Sequence, residues 1–137
     1  MDYHAYREKY FVEPAPAESF ETVGVLGATL FIQDYELAVD YYTSVLGPPG
    51  YVEGEGTRGW RLGNSWLTLL RGQQGNPRNV EVNIVMESPE EAERMQRAFI
   101  EAGGVGPAPS DQLMYEPVRM CPVTDPFGTA LMIFAPL

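Results

Sequence analysis

The sequence is poor in the residues on which much protein chemistry rests. Its 137 residues include one cysteine, Cys121, one histidine, His4, and nine Lys and Arg against 19 Asp and Glu. A lone cysteine closes no internal disulfide, and a reducing compartment is compatible with it. With no histidine beside it in the sequence, Cys121 reads as an inert small hydrophobe rather than an activated thiol. A single histidine leaves a Ser-His-Asp arrangement nothing to use but His4. A formal net charge of −10 argues against nucleic acid, whose phosphates demand Lys and Arg, and against anionic membrane for the same reason. The acidic surface suits solubility, or attraction of a cationic ligand. No apolar run approaches the ~20 residues of a membrane span. The start, Met1-Asp2-Tyr3-His4-Ala5-Tyr6-Arg7-Glu8-Lys9, lacks the basic-then-apolar order of a signal peptide, so the expected location is the cytoplasm. Gly54-Glu55-Gly56 is followed by no helix and makes no dinucleotide fingerprint.

What is present is a core-forming composition, 45% hydrophobic, enough for one domain at this length. The stretch from Leu26 to Gly47 organises it. Its first part, Leu26 to Ile32, is uncharged and rich in β-formers, a buried strand. Asp34 offers an oxygen to cap a helix. Leu37, Ala38, Tyr41, Tyr42 and Val45 then recur at helical spacing, and Gly47 stands where helices end in a left-handed residue. The same grammar returns. Val80 to Met86 is a strand, Ser88-Pro89-Glu90-Glu91 a capping box with proline at the first helical position, Ala92, Met95, Phe99 and Ala102 a helical stripe, and Gly103 its stop. Two strand–cap–helix–glycine units suggest an internal duplication.

Around these, Pro48-Pro49-Gly50 forces a turn, and Tyr51 to Glu53, Thr57 to Leu62 and Ser65 to Leu70 read as strands, the last two joined by a tight turn at Gly63-Asn64. Gly72 to Arg78 is a polar seam. In the second half, Gly104 to Pro109 is a turn with room for a short strand. Leu113 to Val123 is a strand interrupted by Pro117 and Pro122, Asp125-Pro126-Phe127-Gly128 a turn, and Thr129 to Phe134 a closing buried strand. The expected division is an N-terminal arm, residues 1–22, and one domain, 23–137, made of modules 23–72 and 79–137. The arm carries Tyr3, Tyr6, Tyr10 and Phe11 at near-helical spacing. It is expected to pack on its own domain or on a partner subunit, the alternative being a loose leader.

Two βαβββ units, with Asp34 before the first helix, Leu46-Gly47 after it and Asp125-Pro126-Phe127-Gly128 before the last strand, resemble the vicinal oxygen chelate superfamily: glyoxalase I, bleomycin-resistance proteins and extradiol dioxygenases. The resemblance covers about Val23 to Pro136. It implies an α+β fold in which two tandem modules wrap curved mixed sheets around a cavity, commonly completed in a homodimer. Metal-using members place a histidine seven positions before the aspartate, which here is Gly27. Their second ligand falls on Glu81, or on Val80 with a slip of register. Their third, a carboxylate on the last strand, falls on Met132. A glycine, a glutamate and a thioether do not make a site for Zn, Ni or Fe, so no metal and no other cofactor is expected.

Alternation puts Val82, Ile84 and Met86 toward the helix and Glu81, Asn83 and Val85 toward the cavity. The candidate ligand-binding residues are Thr29, Phe31, Trp60, Trp66, Glu81, Asn83, Tyr115, Arg119 and Met132. Glu81 is also a candidate general base if desolvated, or else the partner of Arg119. The expected function is metal-independent binding of a small molecule, cationic or aromatic, in an apolar aromatic-lined cavity, in the manner of the sequestering antibiotic-resistance branch. The alternatives are a lyase, isomerase or dioxygenase of the same superfamily, using a displaced metal site or Glu81 as base, and a partner-binding module with a vestigial pocket.

Overall fold

The computed structural model describes residues 1–137. The arm opens with helix α1 (Tyr3–Tyr10), capped by Asp2, whose carboxylate accepts the Ala5 N–H at 2.8 Å. None of its residues is buried. Strand β1 (Ala28–Ile32) buries Leu30 and Ile32 on one face and turns Thr29 and Phe31 the other way, as the period of two requires.

Helix α2 (Tyr35–Leu46) follows, with Asp34 at its cap position. The expected cap bond is missing. The Asp34 carboxylate instead accepts from Asn76 Nδ2 at 2.9 Å, while its own N–H donates to Asn76 Oδ1 at 3.2 Å. An amide from the polar seam thus outcompetes the helix for the side chain and ties the seam down. Gly47 ends the helix with φ +87°, its N–H donating to the Thr43 carbonyl, a conformation that costs a side chain-bearing residue more. Strands β2 (Tyr51–Glu53), β3 (Thr57–Leu62) and β4 (Ser65–Arg71) complete a four-stranded sheet of order β1-β4-β3-β2, with β1 parallel to β4 and the other pairs antiparallel.

The second module repeats this plan. Strand β5 (Glu81–Val85) leads into α3 (Pro89–Glu101), where Ser88 accepts the Glu91 N–H at 3.2 Å. Only half of the capping box forms, because the Glu91 carboxylate takes a bidentate grip on Arg94, 2.8 and 2.9 Å. Strands β6 (Ser110–Leu113), β7 (Pro117–Met120), β8 (Val123–Thr124) and β9 (Ala130–Pro136) follow. Their sheet has the order β5-β9-β7-β6, with β8 also on β9 and β5 parallel to β9. The single strand expected from Leu113 to Val123 is three pieces. Leu113 ends β6, Met114 to Glu116 reverse the chain into β7, and Cys121-Pro122 separates β7 from β8. Proline has no N–H for the ladder. The Cys121 N–H bonds the Ile133 carbonyl at 2.7 Å and keeps the strand aligned across the break.

Both modules feed one interior. Leu30, Ile32, Tyr42 and Trp60 from the first pack in the same cluster as Ile84, Phe99, Leu131 and Ile133 from the second. Two phenols stitch the halves. Tyr41 donates to the Phe99 carbonyl and Tyr42 to Asp125 Oδ2, each at 2.7 Å. Asp125 is 4% exposed, and its Oδ1 also accepts the N–H groups of Phe127 and Thr129, at 2.9 and 2.8 Å. The Asp-Pro-Phe-Gly turn is therefore a buried carboxylate nest whose spare oxygen is claimed by the helix of the other module. Burial, with Asp125 beside it, pushes the Tyr41 phenol up to about 12 and the Tyr42 phenol further in the same direction.

Candidate functional site

Strands β1 and β5 are both edges of their sheets, and a cleft of about 650 Å³ opens between them. Its walls are runs of consecutive residues, Leu26 to Leu30 on one side and Val80 to Glu87 on the other, with Leu62, Trp66, Leu67 and Met95 among the residues that close it. Consecutive lining means that the strand edges themselves face the cleft. On β5 the bonds from Ala130 N–H to the Val80 carbonyl and from Met86 N–H to the Phe134 carbonyl fix the parallel register. The alternation of that ladder turns the amides of Glu81, Asn83 and Val85 away from β9, toward the open edge. The cleft so combines apolar side chains with unclaimed backbone groups. Its only ionisable side chains are Glu81 and Glu87.

Four of the anticipated residues meet here: Thr29, Trp66, Glu81 and Asn83. Phe31 shares the open face of its sheet with Thr29 but stands outside the cleft, 60% exposed. Met132 is half-buried beside Asn83 in the β5–β9 register, also outside the lining. Three placements differ from expectation. Trp60 is 2% exposed in the core, its indole N–H donating to the Gly47 carbonyl at 2.8 Å. Its neighbour along β3, Gly59, takes the open face instead. Tyr115 stands at the β6–β7 reversal, where the Tyr3 hydroxyl donates to its carbonyl and Phe11 meets its ring edge-on. It anchors the arm to its own domain. Arg119 is on the helix side of its sheet, paired with Glu93 of α3 at 3.0 Å and with Asp111. These two hydrogen-bonded carboxylates raise its pKa, and Glu81 has no arginine opposite it. The extra reversal at Met114 to Glu116 explains the last two errors.

Trp66 has a seat of its own. A Cβ on Gly59 would lie 3.4 Å from Trp66 Cε3, and one on Gly50 would lie 3.6 Å from Cη2 and Cζ3, so the indole lies across a strip of bare backbone. Tyr51 meets it edge-on with ring centres 6.4 Å apart, and the Arg61 guanidinium stands over it, 5.1 Å from the ring centre. Glu87, Arg61 and the two glycines are functional candidates that the sequence reading missed. The pairing of Arg61 with Trp66 across the Gly63-Asn64 turn was available from hairpin register. Glu87 was not, since nothing local says that β5 ends at the mouth of a cleft.

The donors at the superfamily's metal positions do not converge. Gly27 has no donor atom, and a Cβ there would press to 3.2 Å on the Trp66 carbonyl oxygen. Glu81 pairs in register with Ala130, and Met132 with Asn83. No three His, Cys, Asp or Glu side chains anywhere in the chain are grouped to hold an ion. His4 lies on exposed α1, 3.2 Å from Glu8. The residues present therefore do not fit a divalent metal at that place. Cys121 is fully buried, and burial pushes its thiol pKa up, the opposite of activation.

No family model matches the sequence, and no curated protein matches it significantly. Solved structures do match. A glyoxalase/bleomycin resistance protein from Albidiferax ferrireducens T118 superposes with a TM-score of 0.64 at 17% identity, over 81% of this chain and 97% of its own. The chain has the glyoxalase/bleomycin resistance fold. The same fold is seen in a glyoxalase/bleomycin resistance protein from Catenulispora acidiphila DSM 44928, TM-score 0.61 at 19% identity over 80% of this chain and 96% of that one. A glyoxalase/bleomycin resistance protein/dioxygenase from Nocardioides matches with TM-score 0.63 at 21% identity, over 98% of this chain and 92% of its own. In this chain that fold is built from two modules of one plan. No helix of the chain is long and apolar enough to cross a membrane.

Proposed function

We propose that the protein binds a small, apolar, positively charged organic molecule in the cleft between β1 and β5, without a metal and without making or breaking bonds. The observation that carries this is the lining: apolar walls with one aromatic ring, Trp66, and with Glu81 and Glu87 as the only charges among the lining residues, Arg61 standing beside them over the Trp66 ring. A volume of about 650 Å³ falls in the range of small-molecule sites, which are mostly apolar with a few placed polar groups. Glu81 and Glu87 are both exposed, so each acts as a solvent-screened countercharge at the cleft, and the acidic chain as a whole draws cations toward it. Asn83 and the outward backbone groups of β5 supply hydrogen bonds that orient the guest. Phe31 and Val85, 60% and 61% exposed on the open faces, support a homodimer in which a second copy covers that side.

The test is calorimetric titration of chelator-treated protein with a panel of cationic, neutral and anionic aromatic compounds. Cations are expected to bind preferentially. Glu81→Gln and Glu87→Gln are each expected to weaken them about 2- to 5-fold, the worth of one solvent-screened charge pair, with little effect on neutral analogues. Stoichiometric Zn, Ni, Mn or Fe kept through dialysis, with binding lost on chelation, would overturn the reading and return the enzyme alternatives.

A further inference from the structure

Arg61 and Trp66 face each other directly across the β3–β4 hairpin. The indole has one face on the bare backbone of Gly50 and Gly59, and a planar cation, the Arg61 guanidinium, stands over the ring. Arg61 has no carboxylate partner among the ion pairs of the chain, and its one side-chain hydrogen bond is a local one, Nε to the Gly63 carbonyl at 3.0 Å. Nothing but the ring and that turn holds it. Trp66 keeps 36% of its surface exposed and lines the cleft.

We infer that the exposed face of Trp66 is the seat of a planar, positively charged ring system, and that Arg61 occupies this seat until the ligand displaces it. The inference rests on the reading of the cleft as a small-molecule site and adds the chemical class of the ligand and its position. The guanidinium is flat, delocalised and cationic, so its stacking marks a place where the π-face and its surroundings favour such a group. Gly59 and Gly50 determine specificity indirectly. A bare Cβ at either already reaches van der Waals contact with the indole, at 3.4 and 3.6 Å, so any side chain longer than a methyl would press on the ring from below and tilt the face it offers to the cleft. Across the same cleft, Glu81 supplies the countercharge that Arg61 does not take.

The two tryptophans make the test clean. The Trp60 indole N–H is buried and bonded to the Gly47 carbonyl, so its nitrogen–proton cross-peak serves as an internal reference for that of Trp66. The probes are 1-methylquinolinium and its neutral counterpart 1-methylnaphthalene. Titration with 1-methylquinolinium is expected to shift the Trp66 signal and leave that of Trp60 in place. Trp66→Leu is expected to weaken the cation about 5- to 10-fold, the scale of one lost cation–π stack. Arg61→Ala is expected to tighten both probes, because it uncovers the ring. Four results overturn the inference: a static Trp66 signal while 1-methylquinolinium binds, weaker binding by Arg61→Ala, tightening confined to the cation, which would make Arg61 only a repelling charge, and no saturable binding of either probe. In the first of these the cleft remains a binding site with its ligand elsewhere. The cleft reading itself stands or falls on the broader panel and on Glu81→Gln.

Discussion

Asp125 is the joint between the two halves, and removing it should show how far the halves depend on each other. Asp125→Ala takes away the acceptor for the Tyr42 hydroxyl and for the N–H groups of Phe127 and Thr129, at 2.7, 2.9 and 2.8 Å, at a site 4% exposed. Hydrogen bonds to a charged acceptor contribute about 1.5–3 kcal/mol each, and orphaned buried donors cost about 1–3 kcal/mol. The three share one side chain and are not additive, so the expected loss is about 3–5 kcal/mol, the scale of breaking a buried charged network. With a urea m-value of about 1.5–2 kcal/mol/M, the unfolding midpoint should fall by about 2 M. Tyr42→Phe removes one of the three bonds and should cost about 1.5–3 kcal/mol. Trp60, its ring 6.0 Å from that of Tyr42, reports the transition by fluorescence, and far-ultraviolet circular dichroism reports the whole chain. The double variant should be more stable than the sum of the singles predicts, by about 1–2 kcal/mol. Additivity within about 0.5 kcal/mol would refute the claim that this bond ties the modules together.

Alkaline pH acts on the same joint. Burial raises the folded pKa of Tyr41 from 10.0 to about 12 and moves that of Tyr42 the same way, so the folded state holds protons that the unfolded chain releases. Stability is then full below pH 10 and falls as pH rises through 12. The slope approaches about 1.4 kcal/mol per pH unit from Tyr42 alone, and urea melts at stepped pH, with tyrosinate absorbance, check it. Thr129→Val should be neutral or stabilising by up to about 1 kcal/mol, since the Thr129 hydroxyl is fully buried and without a partner. A lower thermal midpoint would contradict this. Gly106→Ala should cost about 2–3 kcal/mol or more, because its Cβ would lie 2.2 Å from the Pro122 carbonyl oxygen and the Val105–Thr124 bridge would have to open; an unchanged melt would show that the backbone yields there.

The duplicated plan was legible because two signals agree at each place: apolar runs with period two, then caps and glycines around stripes of period 3.6. Leu30, Ile32, Ala38, Tyr42 and Phe99 could be assigned to the core on that basis. The site was legible only where alternation sufficed, as for Thr29, Glu81 and Asn83. Trp60 was legible from the same hairpin register that gives the Arg61–Trp66 pair: the Gly63-Asn64 turn sets Trp60 opposite Leu67 and so on the other face from Trp66. Tyr115 and Arg119 failed together. One reversal at Met114 to Glu116, with neither glycine nor Asn-Gly to announce it, puts Tyr115 in a turn and resets the face that Arg119 takes on β7. Asp34 was read as a cap because nothing local reveals that Asn76, 42 residues away, would claim it.

Strands β1 and β5 leave rows of amides and carbonyls without neighbours in the middle of the molecule, where an unrelated extended chain could add on. The two acidic side chains that give the cleft its charge stand along one of those rows. Like charge set along such an edge makes pairing with a second copy of the same edge costly, so concentrated salt, which screens it, should make that edge more adhesive.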